Sequence, residues 1–470
     1  MSDVPFGFGL PDRDPERREP ERQEPGSTPD PTDPFGLGAL FGGVAGGGSP
    51  EDVLGKMPLF AELQKLMSWS GGPVNWDLAR QSAISQLAAG HQPTSEAERA
   101  AAAEALRLAD LWLDQVTDLP SGIERTAAWS RVDWVEQTLP AWGSLIDPLA
   151  ERVVAAMTSA LPQEAAMSFG PIAGIMGRMG GLMFGAQVGS AMGKLADEVL
   201  TSTDVGLPLA PAGTGVLVPQ NVAEFAAGLD RPADEVRLFL ALREAASQRL
   251  FAHVPWLRQQ LQDAVHAYAR GITIDREAIE RGITEAMSGG GEGGGLDPSD
   301  PESIQRLLGS GVLEPEETPE QQMALRRLET LLALVEGWVD TVTAAAATDR
   351  LPGHSALAET MRRRRASGGP AEQTFATLVG LQLRPRRLRD AATVWAAMGQ
   401  QHGSADRDRL WSHPDLLPTS EDLDEPLDFV ARQGLDDELA ALTADDAGQT
   451  SEDAPDDDPG PQDEGRDEER

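Results

Sequence analysis

Glu244 and His253 stand nine residues apart in the segment VRLFLALREAASQRLFAHVPWL, residues 236–257. A carboxylate and an imidazole at helical spacing are the tools of metal-assisted hydrolysis. In the HExxH frame, two histidines at i and i+4 share one helix face and bind zinc. The glutamate after the first acts as general base on the zinc-bound water. An extended frame adds a glycine between the second and third histidines and places the third six residues after the second. Laid on this chain, the glutamate falls on Glu244 and the third histidine on His253. The first histidine falls on Arg243, the second on Ser247 and the glycine on Leu250. Arg243 puts a permanent cation where a metal ligand would stand. Glu336, in LVEGWVD, is a candidate carboxylate ligand from a later helix, and Asp340 shares its face one turn on. His354 and His413 complete the candidates, since mixed nitrogen and oxygen ligation is chemically permitted. A purely structural reading stands beside this one. Glu244 would then be half of a core ion pair with Arg243, Arg249 or Arg237. His253 would be a helix C-terminal residue favoured by the macrodipole, ahead of the helix-ending Pro255.

The elements that must position these groups read as helices. Asp230 as N-cap, Pro232 in the first turn and Asp234 and Glu235 behind it open the central one, over 231–252. Apolar spacing predicts further helices near 76–90, 94–117, 127–137, 143–160, 172–200, 256–270, 275–287, 301–309, 319–347, 354–366, 371–381 and 386–401. One short strand is expected at Val216–Val218, before Pro219. The fold class is therefore mainly α, with at most one or two short strands. Residues 1–49, rich in Pro, Gly and charge, read as a disordered tail. The body runs over 50–287 and resumes over 301–432, with SGGGEGGGLDPSD at 288–300 as a linker or surface loop. Residues 433–470 read as an acidic disordered tail.

Composition removes several classes of chemistry. The 470 residues include no cysteine, so disulfides, thiolate nucleophiles and cysteine-held metals are excluded. The net charge of −37 opposes binding to nucleic acid phosphates. Without a basic start followed by an apolar run, the N-terminus does not read as a signal peptide. With no long uncharged apolar stretch, no membrane span is expected. The expected location is the cytoplasm.

Two patterned segments have their own alternatives. Gly177, Gly181, Gly185, Gly189 and Gly193 form a smooth stripe along one helix, which serves either self-association or close packing within the core. Arg362–Arg365, with Arg384, Arg386, Arg387 and Arg389, forms a basic cluster. It reads as a phosphate patch or as a surface facing the protein's own acids, but it lacks the interleaved aromatics of a single-strand binder.

Longer stretches carry a family resemblance. They are VNWDLA at 74–79, FGPIAGIMGRMGGLMFGAQVG at 169–189, VLVPQNVAEF at 216–225 and LALREAASQRLFAHVPWL at 240–257. LALVEGWVD at 332–340, RRRRASGGPAEQTFATLVGLQLRPRRLRDAA at 362–392 and LWSHPDLLPT at 410–419 follow. Together they resemble an actinobacterial zincin-like family labelled hydrolase or zinc-dependent metalloprotease, over roughly residues 55–430. The resemblance implies a zincin-like active-site helix in a helical body, with zinc as cofactor. It implies Glu244 as the remnant catalytic base and His253 as the remnant ligand. With Arg243 and Ser247 at the other ligand positions, the expectation is a degenerate site with weak or no peptidase activity. The alternative is a non-catalytic helical scaffold that binds a peptide or protein through the old cleft or the charged tails.

Overall fold

Fourteen buried side chains on a single 21-residue helix mark the centre of the molecule. The structure is a computed structural model that describes residues 72–159, 170–271, 318–366 and 387–434. All of these belong to one compact unit, Trp69–Arg470. Residues 1–49, residues 435–470 of the expected C-terminal tail, the glycine-rich segment 288–300 and the helices expected near 275–287, 301–309 and 371–381 lie outside the described residues.

In chain order the elements are α1 (Trp76–Leu87), α2 (Glu96–Leu113), β1 (Arg125–Ala128), α3 (Arg131–Ser159) and α4 (Gly170–Glu198). Next come β2 (Thr214–Leu217), α5 (Pro219–Ala227), α6 (Ala233–His253) and α7 (Pro255–Arg270). The last are α8 (Pro319–Ala347), α9 (His354–Ala366), α10 (Leu388–Gln401) and α11 (Gly403–Arg409). A further helix covers 426–434. The fold is mainly helical, as the sequence implies. Helix starts follow local chemistry: Ser95 with Glu98 and Thr318 with Gln321 form capping boxes at α2 and α8.

Three details differ from expectation. First, helices expected at 127–137 and 143–160 are one helix, α3, which runs through Pro140 and Pro148. Proline removes a helical hydrogen bond, but the fully buried Trp134 and Trp142 and the buried Ile146 hold the two halves against the same core. Second, the strand near Val216 has a partner that its own sequence does not announce. β1 pairs with β2 in parallel, Arg125 opposite Thr214 and Ala128 opposite Leu217. Third, α6 begins at Ala233 with Pro232 as its N-cap, so Asp230 lies outside the helix.

Helix α6 touches α2, α5, α7, α8, α9 and β2. A helix covered on every side is a core helix, and its charged residues must find partners inside the fold. Helix α8 packs on α6, α7 and α10, so elements before and after the segment 272–317 share one core. α8 is long and apolar enough to cross a membrane, but 78% of its most apolar window is buried within the fold. Its burial is that of a core helix. Gly337 of LVEGWVD makes this packing possible: a Cβ there would lie 2.7 Å from the Ala392 nitrogen on α10.

The glycine stripe resolves to packing within the chain. A Cβ on Gly185 would lie 2.6 Å from the Asn75 carbonyl oxygen, and one on Gly189 would lie 2.4 Å from that of Ala79. Helix α1 therefore rests backbone to backbone on α4.

Candidate functional site

Glu244 is fully buried, with 0% exposure. Its Oε1 accepts hydrogen bonds from the Ser202 hydroxyl at 2.5 Å, the Val216 amide at 3.1 Å and the Gln248 amide at 3.0 Å. Its Oε2 accepts from the Thr203 hydroxyl at 2.6 Å and the Thr203 amide at 3.2 Å. Five donors fill the roughly four lone-pair sites of a carboxylate. The group ties α6 to β2 and to the turn before it. A general base needs a lone pair within reach of the proton that it removes, and this carboxylate has none to spare. None of the arginines weighed as its partner serves it. Arg237 pairs with Asp234, Arg249 with Asp110 and Asp114, and Arg243 with acids on α8.

His253 is the exposed last residue of α6. Its Nε2 lies 3.1 Å from the Ser121 carbonyl oxygen; a carbonyl only accepts, so Nε2 carries the proton. The helix runs unbroken from Ala233 to His253. Nine residues of helix separate Glu244 from His253 by about 13.5 Å along the axis, at about 1.5 Å per residue. In the extended zinc frame a glycine ends the helix so that the third histidine can turn back. Here Leu250 holds that position, fully buried inside a continuing helix. Glu244 and His253 are therefore not brought together. Ser247 is turned onto its own helix, its hydroxyl donating to the Arg243 carbonyl at 3.0 Å.

A separate centre forms around Arg243. Its Nη2 donates to Glu336 Oε2 at 2.6 Å, and its Nη1 donates to Asp340. The Phe239 ring lies beneath the guanidinium, 6.0 Å from centroid to carbon. Glu336 also receives Arg365. Arg364 donates to Asp204 at 2.9 Å and to the Glu198 carbonyl at 2.6 Å. Burial works against ionisation of Asp204, but Arg364 and Arg365 outweigh it and hold the carboxyl below its usual value. Burial, with Arg243 close by, pushes the Arg365 guanidinium down to about 9, still protonated at neutral pH. Within the run Arg362–Arg365, two arginines thus point inward, while Arg362 and Arg363 pair with Glu359 on the surface. Arg387 is engaged with Asp424 and the Ser420 carbonyl.

His354, at the start of α9, meets the Phe239 ring edge-on at 5.6 Å. Burial pushes its imidazole below the usual histidine value; Asp340 opposes that push, and Arg243 and Arg362 add to it. Below pH about 6.5 the unfolded chain binds a proton that folded His354 resists. Its contribution to stability is thus intact above that pH and falls as pH drops towards the lower folded value. Denaturant titrations at stepped pH should show a steeper loss of stability from pH 7 to 5 in the parent than in a His354→Gln variant. Equal slopes would remove His354 as the cause. His413, the remaining histidine candidate, is exposed and accepts from the Asp415 amide at 3.2 Å, so it belongs to a turn.

The residues present do not fit zinc. Glu244 is saturated, His253 lies at the far end of α6, and Glu336 is bound to two guanidinium groups. Among the described residues no group of three or more His, Cys, Asp or Glu could hold a metal ion.

Sequence reading allowed that the arginine run faces the protein's own acids, but it did not say which arginines turn inward, and it missed Asp204. One signal was available: buried Leu357 and Met361 lie seven and three residues before Arg364, on its own helix face. It also missed Asp408, whose carboxylate accepts from Thr117 Oγ1, Trp338 Nε1 and Arg407 and ties the C-terminal part to α8. Nothing local marks that residue.

No curated protein matches the chain. A crystal structure from Chloroflexus aurantiacus, called a "putative hydrolase with a novel fold", superposes with a TM-score of 0.54 at 19% identity. The match covers 77% of this chain and 99% of that one, and at such identity it speaks for the fold. The family model for zincin-like metallopeptidases matches residues 74–430, a span that holds α6, α8 and every residue of the site above. The chain belongs to the zincin-like metallopeptidase family.

Proposed function

We propose that this chain is a member of the metallopeptidase family in which the zinc helix has become a core element. It then carries out no zinc-dependent peptide hydrolysis at α6 and acts as a non-catalytic helical scaffold for a peptide or protein partner. The observation that carries this reading is the state of Glu244: buried and spanned by five donors, with no lone pair left for water. The guanidinium of Arg243 at the first ligand position points the same way. A protein partner suits a chain whose net charge of −37 repels nucleic acid. The absence of cysteine accords with a cytoplasmic setting.

The test is metal content and turnover in the full-length, untagged protein. After dialysis against trace zinc, elemental mass spectrometry should find far less than one zinc per chain. A fluorogenic peptide library should show no cleavage that depends on Glu244. Stoichiometric zinc that disappears in His253→Ala, together with hydrolysis abolished in a folded Glu244→Gln variant, would overturn the proposal.

A further inference from the structure

The zinc frame and the ion-pair network meet at one residue. Arg243 holds the first ligand position on α6, and its guanidinium reaches the two carboxylates that LVEGWVD presents from α8. Glu336 and Asp340 are four residues apart, so they share one face of that helix. The side chains of Arg243, Glu336 and Asp340 are only 7%, 10% and 16% exposed. Two carboxylates at that depth need a cation close by. In a zincin the metal would supply it, at about 2.0–2.2 Å from a carboxylate oxygen. Here the Arg243 nitrogen supplies it at 2.6 Å.

We propose that the Arg243 guanidinium is a built-in replacement for the metal: a fixed cation that bridges Glu336 and Asp340 and locks α6 to α8. On this view the acidic half of a metal site persists in the chain, and what bars a metal is Arg243 at the ligand position together with Arg365 on the same Glu336 oxygen. The guanidinium is planar, always charged and forked, so one side chain can engage both acids. Phe239 packs beneath it, and Arg365 shares the Glu336 Oε2 oxygen with it. The inference rests on the scaffold reading of the previous section.

The experiment is an exchange of cations. The double variant Arg243→His, Ser247→His is made in the full chain, in an Arg365→Gln background that frees Glu336 Oε2, and probed with zinc chloride alone. Positions 243 and 247 are i and i+4 on α6, so two imidazoles would face Glu336 together. The parent should retain far less than one zinc per chain, and zinc should not move its thermal midpoint. The double variant should retain about one zinc, with a midpoint raised by several degrees on zinc addition. Adding Glu336→Ala should weaken zinc binding at least tenfold. A double variant that is folded by circular dichroism yet takes up no zinc overturns the inference and leaves the scaffold reading intact. Zinc in the parent would overturn the scaffold reading instead.

Should the double variant fail to fold, a mutant cycle decides. Arg243→Met and Glu336→Gln should each lower the thermal midpoint, and the two together should lower it by clearly less than the sum. Strict additivity would mean that the pair is not coupled and would overturn the inference.

Discussion

Glu244→Ala should destabilise the folded chain by about 3–5 kcal/mol, the range for removing one member of a buried, fully bonded polar cluster. The substitution strands the Ser202 and Thr203 hydroxyls and the Val216 amide inside the core, and leaves the Thr203 amide only Thr201 Oγ1 and the Gln248 amide only the Ser202 hydroxyl. Each unsatisfied buried donor costs about 1–3 kcal/mol, and water entering the space left behind recovers part of that. Glu244→Gln keeps the volume but turns an amide NH2 towards groups that are themselves donors, so a smaller loss of about 1–3 kcal/mol is expected. A catalytic base behaves differently. It is held at a cost to the fold, and its removal typically leaves stability unchanged or improved while activity collapses. Denaturant unfolding of the parent and both variants separates the two roles. An unfolding midpoint for Glu244→Ala equal to the parent's would show that the buried network is not what holds this turn to α6.

Gly189→Leu should be comparably damaging, at about 3 kcal/mol or more. Even the first added carbon meets the Ala79 carbonyl oxygen at 2.4 Å and the Ser82 Cβ at 2.7 Å. The first of these is backbone of a neighbouring helix, which cannot rotate away, and overpacking of this kind costs about 1–3 kcal/mol before any longer side chain is placed. Gly189→Ala is the sharper diagnostic. On an open helix face it would stabilise by about 0.8–1.0 kcal/mol through helix propensity; against α1 it should destabilise. Met183, on the same helix and 65% exposed, provides a control position at which Ala should be close to neutral. Thermal unfolding with sedimentation would check both the size and the cause. A Gly189→Leu chain that unfolds like the parent but changes its association state would return the stripe to an intermolecular role.

Much of the architecture was legible along the chain. Leu, Ala and Val at helical spacing with strong caps placed α8 at Pro319–Ala347 and α9 at His354–Ala366, the bounds read from periodicity. Helix signals are local, so one segment suffices to read them. The strand pairing was not legible in the same way. Residues 125–128 carry little strand preference by themselves, and their strand exists because β2 lies beside them. Pro140 of α3 marks the opposite failure: a local breaker overridden by burial of the tryptophans around it, whereas Pro148 already lay inside an expected helix.

The candidate site divides along the same line. Sequence by itself determined which groups are missing from a zinc frame, because Arg243, Ser247 and Leu250 are identities and need no geometry. It also placed Glu336 and Asp340 on one helix face, since i and i+4 is a local relation. Tertiary structure alone decided what the remaining charges do. Whether Glu244 faces water or five donors, whether Arg243 turns to Glu244 or to α8, and whether an arginine run points outward or to Asp204 are all questions of what other segments bring within about 3 Å. A hydrogen bond acts at that range and depends on the approach of residues far apart in sequence. No spacing rule along one helix contains that information.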